Sequence, residues 1–183
     1  MTAKLKIVQF NADRRRDAHN LLKKIIQEKE IDIALIQEPN MALTTGNPRW
    51  ILDESGTTAV LCENPRCGVT THETGQNFIC IVLKDWSIYN CYISPNIPMN
   101  EFRNRVDNIM EHVRDQGKEA LIVGDFNAKS ALWSSPMSDA RGEYLVEWIN
   151  ALNISVCNEG NIPTFVRGAQ TSFIDVTLAT QDI

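Results

Sequence analysis

The stretch LIVGDFNAKSALW, residues 121–133, decides the fold class, because it joins a buried strand to a pair of polar side chains. Leu121–Val123 are apolar residues typical of a buried strand, and Gly124 lets the backbone bend where that strand ends. Asp125 and Asn127 then stand at the carboxyl end of the strand, where open α/β sheets build their sites. A carboxylate and an amide in this position could hold a cation and a phosphate.

Length and composition favour one buried core. A chain of 183 residues, 43% of them hydrophobic, is long enough for one well-packed core and short for two domains. There is no apolar run of roughly eighteen residues that would cross a membrane, and the N-terminal MTAKLKIVQF lacks the apolar region of a signal peptide. With no internal repeat and no linker, we predict a single domain over residues 1–183.

The cysteines and the net charge restrict the environment and the partners. Cys80 and Cys91 lie in apolar runs typical of buried free thiols, and no second Cys/His pair completes a zinc site with Cys62 and Cys67. This usage fits a reducing, intracellular compartment. A net charge of −5 argues against a protein that coats nucleic acid through bulk positive charge. It leaves room for an enzyme that contacts a polyanion locally and keeps acids for a metal.

Hydrophobic periodicity predicts helices between strands at both ends of the chain and hairpins in its middle. Besides the strand at 121–123, the predicted strands are 4–10, 31–36, 58–63, 67–72, 78–84, 86–93, 154–157, 164–166 and 173–179. The predicted helices are 17–30, 101–116 with Asn100 as its N-cap, and 139–152, while 40–57 is predicted to be a loop. The mixture predicts an α/β fold of two packed, mostly antiparallel β-sheets flanked by helices.

Polar side chains recur at or beside the ends of these apolar strands. The set comprises Asn11, Asp13, Glu38, Tyr92, Asn96, Asp125, Asn127 and Asp175. Its four acids and two of its amides are predicted to converge on one sheet edge. Mg²⁺ takes oxygen ligands and keeps waters for substrate phosphates, so such an edge would suit it.

Taken singly, most of these residues have a structural explanation. Glu38 could be a solvated strand end, Asn11 and Asn127 could be turn residues that bond nearby backbone, and Tyr92 could be a core aromatic. Asp175 is different, because a carboxylate among apolar neighbours costs several kcal/mol if it is buried without a partner.

Five motifs in chain order resemble those of the endonuclease/exonuclease/phosphatase superfamily, which includes DNase I and the apurinic/apyrimidinic endonucleases. They are QFNAD (9–13), IALIQEP (33–39), CYISPN (91–96), IVGDFNAKSALW (122–133) and SFIDVTLAT (172–180). The part from Gly124 to Thr180 is most similar to the endonuclease domain of non-LTR (LINE-type) retrotransposons. There GDFNA is followed by Leu132-Trp133, Ala140-Arg141-Gly142, Pro163-Thr164-Phe165 and the run Ser172 to Thr177. The resemblance implies a four-layer, DNase I-like α/β sandwich.

The resemblance also implies a metal site. Glu38 resembles the principal Mg²⁺ ligand of the family, with Mn²⁺ as an alternative cation. Asn11 is similar to the residue that helps to hold the cation or the phosphate, and Asp13 to an acid whose position varies within the family.

For the reacting phosphate, the resemblance implies four further roles. Asp125 resembles the residue that orients or deprotonates the attacking water, and Asn127 resembles a donor to a phosphate oxygen. Tyr92 matches a tyrosine whose hydroxyl contacts the phosphate. Asp175 is similar to the acid that orients a histidine further along the chain. Phosphodiester hydrolysis needs a positioned water, a cation and donors to the non-bridging oxygens, so the chemistry is consistent with these roles.

The histidine of the family's closing Ser-Asp-His motif is not found in this sequence, which stops at Ile183. His19, His72 and His112 stand in a predicted helix, a hairpin region and a second helix, and we predict that His19 and His112 are surface or helix-face residues. We expect the chain to be a piece of a longer domain, missing its C-terminal segment. The alternative is a catalytic set that lacks its histidine.

By this resemblance the chain is an endonuclease that uses Mg²⁺ to nick double-stranded target DNA and leaves a 3′-hydroxyl to prime reverse transcription. We expect it to be the N-terminal part of a polyprotein with a reverse transcriptase, to have no membrane partner, and to act in the nucleus. Loops at 63–77 and 94–105 are expected to choose the target site. The residues predicted to bind DNA are Arg14, Arg15, Arg16, Asn96, Arg103 and Arg105.

Two alternatives remain open. One is another enzyme of the superfamily, either an abasic-site repair nuclease or a phospholipid or inositol phosphatase. The other is a non-catalytic DNA-binding or assembly module.

Overall fold

The chain has a mixed α/β fold with two large sheets flanked by helices. The computed structural model describes residues 4–64, 67–160 and 162–180, so two positions of the predicted 63–77 loop, 65 and 66, lie outside the described residues. The helices are α1 (Arg16–Lys29), α2 (Met41–Thr44), α3 (Met99–Gln116) and α4 (Ala140–Ala151). The strands are β1 (Ile7–Asn11), β2 (Ile33–Gln37), β3 (Trp50–Leu52), β4 (Thr58–Cys62), β5 (Thr71–Gly75), β6 (Phe78–Val82), β7 (Trp86–Tyr92), β8 (Glu119–Asp125), β9 (Ser155–Val156), β10 (Phe165–Arg167), β11 (Gln170–Ser172) and β12 (Asp175–Ala179).

The strands form a four-stranded sheet in the order β1-β2-β4-β3, a six-stranded sheet in the order β5-β6-β7-β8-β12-β9, and the β10-β11 hairpin. The chain also divides into two compact units. Unit 1 holds Met1–Lys84 with Tyr89–Tyr92, and unit 2 holds Asp85–Ile88 with Ile93–Ile183. No helix in the described ranges is both long and apolar enough to cross a membrane.

In unit 1, α1 connects the parallel strands β1 and β2, as a parallel pair requires a crossover connection. Leu22 and Ile26 of α1 pack against Ile36 of β2 and Leu61 of β4, which buries one face of the sheet. All five residues of β2 are buried, and this explains why its first four, Ile33–Ile36, form a continuous apolar run.

A buried amide network ties the end of β7 to the four-stranded sheet within unit 1. Asn90 donates from Nδ2 to the carbonyls of Ile36 and Ala59, at 3.1 and 2.9 Å, and its Oδ1 accepts from Nε2 of Gln37 at 2.6 Å. Asn90 and Gln37 are fully buried, so these bonds satisfy amide groups that would be costly to bury alone.

In unit 2, β12 pairs antiparallel with β8 and β9, and α3 and α4 are tied together by one carboxylate. Asp107 of α3 accepts from the hydroxyl of Tyr144 at 2.6 Å and from the indole N–H of Trp148 at 2.8 Å. On α3, the buried face comprises Phe102, Val106, Ile109, Met110 and Val113.

Several element boundaries differ from the prediction. The 40–57 segment contains α2 and β3, which are too short, at four and three residues, to show a hydrophobic period. The predicted strand at 67–72 lies instead at Thr71–Gly75, where exposed polar residues are held by pairing with β6. The helix predicted from 101 begins at Met99 with Pro98 as its N-cap, so Asn100 lies inside the first turn.

Candidate active site

Asn11 and Glu38 leave the same edge of the four-stranded sheet in unit 1. Asn11 ends β1 and pairs in register with Gln37, the last residue of the parallel strand β2. Glu38 follows Gln37 directly, so it lies beside Asn11. Nδ2 of Asn11 is 3.4 Å from Oε1 of Glu38, and Oδ1 of Asn11 accepts the N–H of Asp13 at 2.9 Å. The sheet therefore brings an amide, a carboxylate and the Asp13 turn together.

The backbone at these strand ends is strained. Eight non-glycine residues of the described chain have positive φ, and four belong to the predicted site: Asp13 (44°), Arg14 (56°), Glu38 (46°) and Asn127 (47°). Such conformations cost about 1–3 kcal/mol each and persist where surrounding contacts hold them. At Glu38, the N–H donates to the carbonyl of Thr57 and the carbonyl accepts from Arg14, both at 2.9 Å.

The three consecutive arginines have different surroundings. Nε of Arg14 lies 3.6 Å from Oε2 of Glu38, and its side chain is 71% exposed, so this pair is cheap to separate. Arg15 makes an ion pair of 2.5 Å with Asp17. Arg16 is the exposed first residue of α1 and has no ion pair within the described ranges. The cluster thus offers Arg14 and Arg16 to an anion more readily than Arg15.

The residues of this edge fit a lightly coordinated hard cation. In the described part of the chain, no three His, Cys, Asp or Glu side chains cluster as a metal site. The side chain of Glu38 is 22% exposed and supplies carboxylate oxygens, whereas Asn11 turns its Nδ2 toward Glu38 and its Oδ1 accepts the N–H of Asp13. Mg²⁺ is commonly held by one or two carboxylates with waters and substrate phosphates, so a sparse oxygen set of this kind is compatible with it.

Tyr92 ends β7 and is buried, with 5% of its surface exposed. Its N–H donates to the carbonyl of Asn77 at 3.0 Å within unit 1. The burial agrees with the core-aromatic reading of the sequence, and only the small exposed part of the side chain could meet a substrate.

In unit 2, Asp125 and Asp175 are direct partners in the antiparallel ladder of β8 and β12. Directly opposite residues project to the same face of a sheet, and like charges in that arrangement are destabilising. Asp125 is 4% exposed and its Oδ1 accepts the N–H of Asn127 at 3.1 Å. Nδ2 of Asn127 donates to the carbonyl of Ile93 at 3.0 Å, which fixes the amide next to the carboxylate. The structure brings three predicted residues of this unit together.

Asp175 is half-buried and is surrounded by groups that fix its backbone. Oγ1 of Thr164 accepts its N–H at 3.2 Å, and its carbonyl accepts from Nδ2 of Asn158 at 3.0 Å. Burial raises the pKa of Asp175 above its ordinary value, and the hydroxyl of Thr164 partly opposes that shift. Holding a carboxyl group at this position therefore costs folding free energy.

The predicted DNA-binding residues of unit 2 lie in different surroundings. Asn96 is exposed on the turn before α3, and Arg103 is exposed with its guanidinium 5.3 Å from the ring centre of Tyr144. The side chain of Arg105 is only 17% exposed and Nη2 is 2.9 Å from Glu101, so Arg105 is mainly part of α3 packing.

The prediction that the acids and amides share one sheet edge is wrong. Asn11 ends β1 and Glu38 follows β2, both strands of the four-stranded sheet, whereas Asp125 and Asp175 belong to the six-stranded sheet. The mistake arises because strand-end position is visible in a sequence, while the assignment of strands to sheets depends on long-range pairing.

The prediction for His19 is also wrong. It is 2% exposed, Nε2 accepts the N–H of Asn40 at 2.9 Å, and its ring meets the edge of Trp50 at 5.7 Å. Burial lowers its pKa, so His19 is a neutral core residue and not part of a helix surface.

Residues that support the site were missed by the sequence analysis. Arg141 donates to three carbonyls of the turn that carries Asn96, and Thr164 bonds the backbone of Asp175. Both stand in motifs of the family resemblance, ARG and PTF, which was a usable signal. Asn158 and Asp53 had no sequence signal, because their partners lie far away along the chain.

With this geometry in hand, comparison with known proteins defines the class. Residues 86–183 match the family model described as Endonuclease-reverse transcriptase, which is more than half of the chain, and the chain belongs to this family. A search of curated proteins gave no match.

Two solved structures are similar over nearly the whole chain. One is the endonuclease domain of TRAS1, a telomere-specific non-LTR retrotransposon, with 26% identity, a TM-score of 0.79, and coverage of 97% of this chain and 86% of that one. The other is the 3′ phosphatase NExo from Neisseria bound to a product DNA hairpin, with 17% identity, a TM-score of 0.71, and coverage of 97% and 87%. The second likeness concerns the fold alone. The predicted superfamily and the DNase I-like α/β fold are confirmed.

Proposed function

We propose that this chain is a Mg²⁺-dependent DNA endonuclease that hydrolyses one phosphodiester of a duplex and leaves a 3′-hydroxyl. The observation that carries the proposal is the strained strand end at which the Glu38 carboxylate lies against the Asn11 amide, in a chain of the Endonuclease-reverse transcriptase family. A sheet gains no stability from holding a glutamate in the left-handed region, so a functional reason is expected.

Glu38 would hold the cation, with Asn11 beside it and Asp13 in reach through the same turn. A bound Mg²⁺ supplies neutralisation of the charge that develops on the phosphate. Arg14 pairs with Glu38 through an exposed side chain, so it can turn from the carboxylate to a DNA phosphate at small energetic cost.

Asp125 would orient the attacking water and take its proton, because its carboxylate is buried and fixed by the Asn127 N–H. Asn127 has a second amide hydrogen beyond the one bonded to Ile93, and this hydrogen can donate to a phosphate oxygen. Asp175 would orient the group that protonates or contacts the phosphate. Tyr92 would contact the phosphate through its hydroxyl. The last two roles rest on the family resemblance.

DNA contacts would come from Arg14–Arg16, Asn96, Arg103 and, to a smaller extent, Arg105. Exposed arginines on an acidic chain give local phosphate contacts without bulk attraction. The similarity to the TRAS1 endonuclease domain favours a retrotransposon as the source of this chain. We therefore propose that its nick primes reverse transcription by a reverse transcriptase of the same polyprotein, in the nucleus.

Nicking of supercoiled plasmid tests the proposal. The chain is assayed with Mg²⁺ and then with excess EDTA, beside Glu38→Gln and the control Glu63→Gln. Glu63 is a matched control, since it is also a partly exposed glutamate of unit 1 paired with an arginine, Arg49. We expect Mg²⁺-dependent nicking by the wild type and the control. The nicking rate of Glu38→Gln is expected to be lower by a factor of about 10² or more.

The product and the substrate distinguish the rival functions. Extension of the nick by a DNA polymerase without prior treatment shows a 3′-hydroxyl. Strong preference for an abasic duplex would indicate a repair nuclease, and release of a 3′-phosphate without nicking would indicate a phosphatase. DNA binding by a folded chain that never nicks would indicate a non-catalytic module. Any of these results would contradict the proposal.

A further inference from the structure

A buried carboxylate stands at the turn between β3 and β4. Asp53 is 5% exposed and accepts hydrogen bonds from four backbone N–H groups and two hydroxyls. Its Oδ1 accepts from the N–H groups of Thr57 and Thr58, at 2.7 and 2.8 Å. Its Oδ2 accepts from the Ser55 hydroxyl, from the Thr57 hydroxyl at 3.1 Å and from the Asn77 N–H at 3.1 Å. Burying a carboxylate is costly without such donors, and a turn can be closed without a carboxylate.

One branch of these bonds leads to Glu38. The same Thr57 whose N–H is held by Asp53 offers its carbonyl to the N–H of Glu38 at 2.9 Å. The carbonyl of Glu38 in turn accepts from the N–H of Arg14. Only one residue, Thr57, therefore separates the Asp53 carboxylate from the strained backbone of the proposed metal ligand.

The other branch leads to Tyr92. Asn77 donates its N–H to Asp53 and receives the N–H of Tyr92 on its carbonyl at 3.0 Å. Asn77 has a left-handed backbone, with φ of 72°, and its Nδ2 lies 3.1 Å from the Thr57 hydroxyl and 3.3 Å from the Ser55 hydroxyl. These side-chain bonds connect the two branches into one network.

We propose that Asp53 is a positioning residue that fixes the backbone of Glu38 through Thr57 and the backbone of Tyr92 through Asn77. The effect of this positioning on catalysis rests on the proposed function. Without the carboxylate, the 53–58 turn loosens, the Thr57 carbonyl shifts, and Glu38 relaxes from its left-handed conformation. Its carboxylate then leaves the position beside Asn11. Outer partners of metal ligands commonly contribute about 10- to 100-fold in metal affinity or activity.

The test compares Asp53→Asn with the control Asp32→Asn. Asp32 is a carboxylate of unit 1 that likewise accepts a backbone N–H, from Lys6 at 2.8 Å, and a side-chain amide, from Asn64 at 2.7 Å. It precedes β2, whereas Glu38 follows that strand, and none of its hydrogen bonds involves Thr57 or Asn77.

Two readouts separate positioning from general stability. The first is Mn²⁺ affinity from electron paramagnetic resonance titration, which we expect to fall about 10- to 100-fold in Asp53→Asn and to stay unchanged in Asp32→Asn. The second is amide hydrogen exchange, in which we expect the N–H groups of Glu38 and Tyr92 to lose protection in Asp53→Asn only. Both are measured at a temperature at which each variant is folded.

Glu38 protection at the wild-type level in folded Asp53→Asn would overturn the proposal. Faster exchange with unchanged Mn²⁺ affinity would also overturn it, because the turn would then have only a structural role.

If Asp53→Asn does not fold, Ser55→Ala decides, since it removes one hydroxyl donor from Asp53 and keeps the backbone bonds. A several-fold loss of Mn²⁺ affinity in Ser55→Ala supports the proposal, and an unchanged affinity overturns it. If the wild type binds no Mn²⁺ and does not nick, the proposed function fails, and Glu38 exchange alone decides whether Asp53 holds Glu38.

Discussion

The backbone of Glu38 is held in the left-handed region, which glycine adopts at lower cost than any residue with a Cβ. Its N–H and carbonyl bonds to Thr57 and Arg14 hold it there, and both bonds survive replacement of the side chain. Substitutions of Glu38 can therefore separate the energetic cost of its strained backbone from the chemical role of its carboxylate.

We predict that Glu38→Gly is more stable than Glu38→Ala by about 1 kcal/mol, because only glycine relieves the positive φ. Neither variant is expected to nick plasmid with Mg²⁺. Urea unfolding gives the stabilities. Glu30, with φ of 52° at the end of α1, is a control in which the same two substitutions should differ likewise in stability but keep nicking. Equal or greater stability of Glu38→Ala would show that the site is not strained.

A second residue-scale prediction follows from the raised pKa of Asp175. A carboxyl with a higher pKa in the folded than in the unfolded chain prefers its protonated form when folded. Stability is therefore greatest below the unfolded pKa and falls as pH rises through the folded pKa. Asp175→Asn removes this loss. We expect the variant to match the wild type in acid and to be more stable near neutral pH, while its nicking falls.

Thermal unfolding of both proteins across a pH series measures this difference. The control is Asp115→Asn, because Asp115 is exposed at the end of α3. Asp107→Asn would be unsuitable, because the Asp107 carboxylate ties α3 to α4. A difference that stays constant with pH would mean that the Asp175 carboxyl is not desolvated.

At the scale of elements, α4 holds the turn before α3 through one side chain. Arg141 donates to the carbonyls of Ser94, Pro95 and Ile97, at 3.1, 3.1 and 2.6 Å, and its guanidinium lies 4.9 Å from the ring centre of Phe102. The planar guanidinium reaches three acceptors at once, which a lysine ammonium on a flexible stem does not reproduce.

We therefore predict that Arg141→Lys lowers the free energy of unfolding by about 1–3 kcal/mol and loosens the Asn96 turn. Limited proteolysis should become faster within 94–98, and the nicking positions should become less defined. Arg114→Lys is the control, because Arg114 is also a helix arginine of unit 2 but is exposed and has no proposed contact with DNA. Unchanged proteolysis of the turn in Arg141→Lys would show that the other contacts of the turn suffice.

At the scale of the whole molecule, binding of the proposed cation should raise the free energy of unfolding. A ligand that binds only the folded chain at one hundred times its dissociation constant stabilises it by about 2.7 kcal/mol. We predict such an increase in the free energy of unfolding with Mg²⁺, its reversal by EDTA, and its absence in Glu38→Gln. Glu63→Gln should retain it. An equal effect of Mg²⁺ on all three proteins would indicate general ionic screening and no site at Glu38.

The net charge of −5 has a consequence at the same scale. On the proposed function, attraction to DNA would depend on a few local arginines, of which Arg15 is already paired with Asp17. We therefore expect weak, local contacts with DNA and no coating of it through bulk charge.

Much of this protein follows from its sequence. The apolar run Ile33–Ile36 reflects burial on both faces of the sheet. The helical pattern at 17–30 predicts one apolar stripe of Leu21, Leu22, Ile25 and Ile26, and the structure buries Leu22 and Ile26 but leaves Leu21 exposed. GDFNA places Asp125 and Asn127 at the end of a strand, where the structure has them. Local patterns of this kind are written in consecutive residues, because one period and one turn decide them.

Tertiary structure alone decides the remainder. Pairing assigns Asn11 and Glu38 to one sheet and Asp125 and Asp175 to the other, and it sets Asp125 opposite Asp175. It also brings Asp53 to Asn77, and buries His19 against Trp50. The sequence by itself determines the longer elements and the residue types at their ends, since these depend on neighbours along the chain. It does not reveal the left-handed backbone of Glu38 or the network behind it, since these depend on partners brought close only by folding.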